Sequence, residues 1–154
     1  MLIGFGHRKQ SGKDECAKYL VTNYGFKQIA FADPLKEALI NIFGFTRFQL
    51  YGVDQAKETV DPRWGFSPRQ AMQKLGQSLR ETFGPDIWST SAEARIKLLR
   101  VTSVENQIQH IVVSDVRYPN EANMIKRNGG IVVRVDRPGL RAVEDLHESE
   151  TSME

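Results

Sequence analysis

Ser11, Gly12, Lys13 and Asp14 stand where a short apolar run, Met1 to Phe5, turns into a helical pattern, and residues of these types in this order handle phosphate. In such a strand-to-helix turn, backbone N–H groups, the positive end of the helix and one lysine together wrap the phosphates of a nucleoside triphosphate. The turn expected to do this comprises Gly6, His7, Arg8, Lys9, Gln10, Ser11, Gly12 and Lys13. The common spacing G-x-x-x-x-G-K-[ST] places its first glycine at residue 7, where this chain has His7 with Gly6 one step earlier. Asp14 replaces the usual hydroxyl residue, so a Mg²⁺ ion would meet a carboxylate oxygen there, directly or through water.

A second carboxylate is expected at the same place. The apolar run His110 to Ser114 ends in Asp115, with Arg117 two residues on. In an open α/β sheet ligands bind beyond the carboxyl ends of the strands, so Asp115 reads as a Mg²⁺ or water ligand and Arg117 as a cation facing the same crevice. The alternative is that Asp115 caps the helix starting near Pro119 and Asn120. Residues 68–83 form a helix whose expected buried stripe is Met72, Leu75, Leu79 and Phe83, with Lys74, Ser78 and Glu81 opposite. Arg69, Gln73, Gly76 and Arg80 make a border stripe, two forked donors and an amide around the open space that a glycine leaves, which suits a phosphate and a base edge or a merely solvated surface. Asp33 and Lys36 close the second strand, as substrate contacts or with Asp33 as a helix cap. Trp88 reads as core or as a stacking platform. Cys16 reads as a small core residue, and one cysteine in the chain excludes an internal disulfide.

These residues need a scaffold, and the pattern supplies one. Strand-like runs at residues 2–5, 27–31, 110–114 and 131–135 alternate with helical patterns at 12–24, 34–43, 68–83, 87–104 and 120–127, which argues an α/β fold with a mainly parallel sheet covered on both faces. Residues 45–66 lack clear periodicity and read as a long loop, of a kind that tends to be functional or mobile. At 154 residues the chain is expected to form one domain. A net charge of +2 gives no reason to expect nucleic-acid binding. No secretory h-region or apolar run near membrane-spanning length appears, so a cytoplasmic protein without a membrane partner is expected.

The ordered set of motifs resembles the deoxynucleoside monophosphate kinase family of tailed bacteriophages, itself similar to the P-loop phosphomevalonate kinases. The match runs through Ser11-Gly12-Lys13-Asp14, Phe31-Ala-Asp33-Pro-Leu-Lys36, Ser67-Pro-Arg69 with Gln73, Gly76 and Arg80, and Asp86-Ile-Trp88. It continues with Ser114-Asp115-Val-Arg117, Pro119-Asn-Glu121, Gly129-Gly130 and His147-x-Ser149-Glu150. The resemblance implies a three-layer α/β/α P-loop kinase fold over residues 1–154, without the strand and helix that usually follow His147 to Glu150. It also implies ATP and Mg²⁺ as cofactors and transfer of the γ-phosphoryl of ATP to a small-molecule (deoxy)nucleoside monophosphate, in the host cytoplasm if phage-encoded. The expected roles are Lys13 on the ATP phosphates, Asp14 and Asp115 toward Mg²⁺, Arg69 and Arg80 on the acceptor phosphate, and Arg117 or Arg137 on the developing charge. Asp33, Lys36, Gln73 and Trp88 are expected to bind acceptor. Kinase action on another phosphate ester, a catalytically silent nucleotide-binding module and assembly into a homodimer stay open at this point.

Overall fold

The computed structural model describes residues 1–6, 11–102 and 109–136. The expected site residues His7, Arg8, Lys9, Gln10 and Arg137, and the His147 motif, lie outside the described residues. The chain divides into two compact units, Met1–Phe31 with Trp88–Glu154, and Ala32–Ile87.

The first unit carries the sheet, which is all parallel: β1 (Leu2–Gly6), β2 (Lys27–Ile29), β3 (Ile111–Val116) and β4 (Ile131–Arg134), in the order β2-β3-β1-β4. Its helices are α1 (Lys13–Tyr24), a long helix at Ile87–Val101 and one at Pro119–Arg127. Side chains alternate across a strand, and the alternation places helices on both faces. Ile3 and Phe5 of β1 and Val112 of β3 pack with Ala17, Cys16 and Leu20 of α1. Leu2 and Gly4 point the other way, toward Ile125 of the Pro119–Arg127 helix. A Cβ at Gly4 would run into Ile125 Cδ1, and one at Gly130 would lie 2.7 Å from Ile125 Cγ2 and 2.8 Å from Leu2 Cγ, so glycine there lets this helix sit close to the sheet. The result is the three-layer α/β/α arrangement that the alternating pattern predicts. Cys16 is half-buried and packs against this core, as a small apolar residue can.

The order of the strands also fixes where a ligand belongs. The connection from β1 passes over β3 to reach β2, whereas the connection from β3 passes over β1 to reach β4. The two crossovers leave in opposite directions, so the carboxyl ends of β1 and β3 frame a topological switch point. One extra residue in β3, at Ser114–Asp115, breaks the register between Gly4↔Val113 and Gly6↔Val116. A bulge of this kind re-aims side chains beside a site.

The second unit is helical: α2 (Asp33–Phe43), α3 (Arg47–Tyr51), α4 (Asp54–Glu58) and α5 (Pro68–Phe83) in chain order. The expected long loop is thus corrected to two five-residue helices and a turn. Five residues are too few to show a 3.6-residue period, but the box in which Thr46 and Gln49 cap each other was a legible start signal. An aromatic cluster of Phe43, Phe45, Trp64 and Phe66 fills the unit beside the turn. The turn is pinned by Asp61, which accepts from Arg63 N, Nε and Nη2 and from Gln49 Nε2. The remaining helices in the first unit are labelled α6 (Ile87–Val101) and α7 (Pro119–Arg127).

Candidate active site

β1 ends at Gly6, and α1 begins at Lys13 behind Gly12, whose φ of 104° is a conformation that glycine alone adopts readily. Ser11 and Lys13 are both buried, at 4 % and 7 % exposure, and Lys13 Nζ donates to Ser11 Oγ at 3.3 Å. A buried ammonium beside a helix N-terminus that lacks a side-chain cap is the chemistry of an oxyanion cradle. Asp14 is exposed in the first turn of α1. The described part of the site fits a phosphate group by these features.

Asp115 sits in the β3 bulge, half-buried, and its Oδ1 accepts from Phe31 N at 2.8 Å. That bond explains why β2 stops at Ile29 and not at residue 31: the Phe31 amide is taken by a side chain and leaves the ladder. Its neighbour Ser114 accepts from Gln28 Nε2 at 3.0 Å. The helix-cap alternative for Asp115 gives way to Glu121, a 2 %-exposed carboxylate that accepts from the amides of Arg117 (2.8 Å) and Tyr118 (3.1 Å) at the start of α7. Arg117 therefore has its backbone fixed one residue beyond β3. Among the described residues no three His, Cys, Asp or Glu side chains gather as a metal cage. Mg²⁺ commonly takes one or two carboxylates and completes its shell with phosphate and water, a demand that Asp14 and Asp115 fit by donor type.

Arg95 of α6 is a site neighbour that the sequence pattern does not mark. It donates to Ala30 O at 3.1 Å, so the chain leaving β2 is held at Ala30 by a guanidinium and at Phe31 by Asp115. A single arginine in a helix of mixed pattern carries no signal for such a long-range bond. Trp88 is buried at the start of α6.

In the helical unit, Asp33 opens α2 behind Ala32, which takes the cap position, so Asp33 is a first-turn acid and not the N-cap. Lys36 Nζ lies 4.4 Å from the centroid of the Tyr51 ring, and Tyr51 donates to Glu37 at 2.8 Å. Burial, followed by that hydrogen bond, pushes the Tyr51 hydroxyl up to about 12, which keeps it a neutral donor.

The border stripe of α5 is rearranged relative to expectation. Gly76 opens no space: its missing Cβ would lie 3.2 Å from Leu35 Cδ2, so the glycine lets α5 approach α2. Phe83, expected in the core, is 69 % exposed in the last turn of α5. Arg80 Nη1 donates to Pro85 O, Gln73 is exposed, and Arg69 Nη2 bonds Asp54 Oδ1 at 3.0 Å while its Nε lies in ion-pair contact with Glu58 Oε1. Neither Asp54 nor Glu58 carries a sequence signal, because pairs 15 and 11 residues apart have no periodicity to betray them.

The sheet order, the switch point and the Gly12–Lys13 turn are consistent with a P-loop kinase-like three-layer α/β/α fold. No family model matches the chain. It is similar to a protein of Acanthamoeba polyphaga mimivirus named "Putative deoxynucleotide monophosphate kinase", 38% identical over 159 residues that cover 99% of this chain and 82% of that protein. The chain belongs to the deoxynucleotide monophosphate kinase family.

Proposed function

We propose that this protein transfers the γ-phosphoryl group of ATP to the phosphate of a (deoxy)nucleoside monophosphate, in the cytoplasm. An acceptor phosphate oxygen forms a bond to the γ-phosphorus, the bond from that phosphorus to the β–γ bridging oxygen breaks, and ADP and a nucleoside diphosphate leave. Such transfer asks the protein for in-line positioning and charge neutralisation more than for covalent help. The observation that carries the reading is buried Lys13 beside Ser11, behind Gly12, at the sheet's switch point. Lys13 and the loop amides hold the donor phosphates. Asp14 and Asp115 hold Mg²⁺, which when bound neutralises phosphate charge. Arg69 and Arg80 bind the acceptor phosphate, Arg117 or Arg137 meets the developing charge, and Asp33, Lys36, Gln73 and Trp88 contact acceptor.

A coupled assay of ADP release over a panel of nucleoside monophosphates tests the reading. Lys13→Met keeps the length of the side chain and removes its charge, so turnover should fall roughly 10²-fold or more while the melting temperature holds. Wild-type turnover by this variant, or no turnover by the native protein on any monophosphate, overturns the assignment.

A further inference from the structure

Asp54 and Glu58 meet the same edge of Arg69. Nε and Nη2 form the side-on edge of a guanidinium, the pair of parallel donors that a single carboxylate or phosphate engages with two oxygens. Here two separate residues share that edge: Asp54 Oδ1 is bonded to Nη2 at 3.0 Å, and Glu58 Oε1 touches Nε. Glu58 lies off the N–H direction, and the buried Nε–H has no hydrogen-bond acceptor. Arg69 is only 20 % exposed, whereas Asp54 and Glu58 are 44 % and 53 % exposed. Both acids can therefore return to water, and Asp54 Oδ1 keeps a cation at 3.9 Å in Lys57. A buried unsatisfied donor costs free energy that a better-aligned oxyanion would recover.

We propose that Asp54 and Glu58 of α4 are specificity residues that stand in for the acceptor's phosphate on Arg69 and so select an acceptor carrying two negative charges. The inference rests on Arg69 as the acceptor-phosphate ligand. A phosphomonoester near neutral pH carries close to two charges and three acceptor oxygens, enough to replace two carboxylates and satisfy Nε. A sulfate monoester of the same shape carries one charge and competes poorly. The expelled carboxylates also repel the incoming anion, which raises the threshold for any weak one.

The test is equilibrium binding of the four deoxynucleoside 5′-monophosphates and their 5′-sulfate analogues to the full chain and to Asp54→Asn, Glu58→Gln, the double variant and Arg69→Ala. Each carboxylate variant should tighten monophosphate binding about two- to five-fold, the range set by an exposed ion pair. The double variant should narrow the preference for phosphate over sulfate, and the ¹⁵N–¹H resonance of Arg69 Nε should move on adding monophosphate. If Arg69→Ala weakens monophosphate binding while the carboxylate variants weaken it or leave it unchanged, the acids merely orient Arg69 and the selection idea is overturned, with the acceptor reading intact. If Arg69→Ala leaves binding unchanged, the acceptor role of Arg69 falls and takes this proposal with it.

Discussion

Lys13 and Arg69 are both cations suited to phosphate, and the molecule prepares them by different means. Lys13 owes its place to backbone: a strand ending at Gly6, a glycine at φ 104° and a helix that starts at the lysine itself. Arg69 owes its orientation to side chains, two exposed carboxylates on a five-residue helix. A backbone cradle cannot relax without unmaking the turn. An exposed ion pair, worth about 1 kcal/mol or less, can trade one oxyanion for another. The first should fail all at once when perturbed, and the second by degrees.

The sharpest break of this contrast is Gly12→Val. Its Cβ would find only ordinary contact with Val135, 3.9 Å away, so the damage comes from φ and not from crowding. Forcing a β-branched residue into that conformation costs on the order of 1–3 kcal/mol, and the Michaelis constant for ATP should rise about ten-fold or more. A normal constant would mean that the cradle does not depend on the glycine backbone. By contrast Arg69→Lys should spare ATP and raise the acceptor constant more modestly, because an ammonium cannot offer a forked edge.

Stability offers a smaller version of the same comparison, in two carboxylates held below their ordinary range, Asp61 in one unit and Glu93 in the other. In the helical unit Asp61 is pulled down chiefly by its hydrogen bonds to Arg63. In the α/β unit Glu93 is lowered from 4.5 to about 2 by Arg127 first, then Asn128 and Lys97. Asp61→Ala strips acceptors from Arg63 and Gln49 around a 5 %-exposed site, and should cost about 1–3 kcal/mol, several degrees in a thermal melt. Glu93→Gln should do least at neutral pH. A carboxyl with a depressed folded value stabilises above its unfolded value and loses that contribution as pH falls, so the variant should flatten the acid limb of stability between about pH 4.5 and 2. An unchanged acid limb would show that Glu93 is not linked to folding.

How much of this could be read from the chain alone follows the same divide. The Gly12–Lys13 turn was legible because glycine and lysine between a strand and a helix do a local job. Helix α5 was bounded correctly at Pro68 and Phe83 because Ser67 caps one end and Gly84 follows the other. What stayed hidden was the work of residues distant in sequence: Arg95 on Ala30, Asp115 on Phe31, Glu58 on Arg69. Gly76 is ambiguous in the sequence because a glycine on a helix announces a close approach without saying what approaches, and here it is Leu35.

The strand order bears on how the chain comes into being. Leu2 pairs with Ile111, which is synthesised 109 positions later, so the central ladder of the sheet cannot close until most of the polypeptide has left the ribosome. Pairings of such sequence separation form slowly and leave strand edges exposed while they wait. The helical unit, Ala32–Ile87, is one continuous stretch and suffers no such delay. During translation it is expected to finish first, while the nascent β1 and the Gly12–Lys13 turn remain without their partner strand. In a pulse-labelling experiment on stalled chains, protection should therefore reach α2 and α5 well before it reaches Ile3 to Phe5.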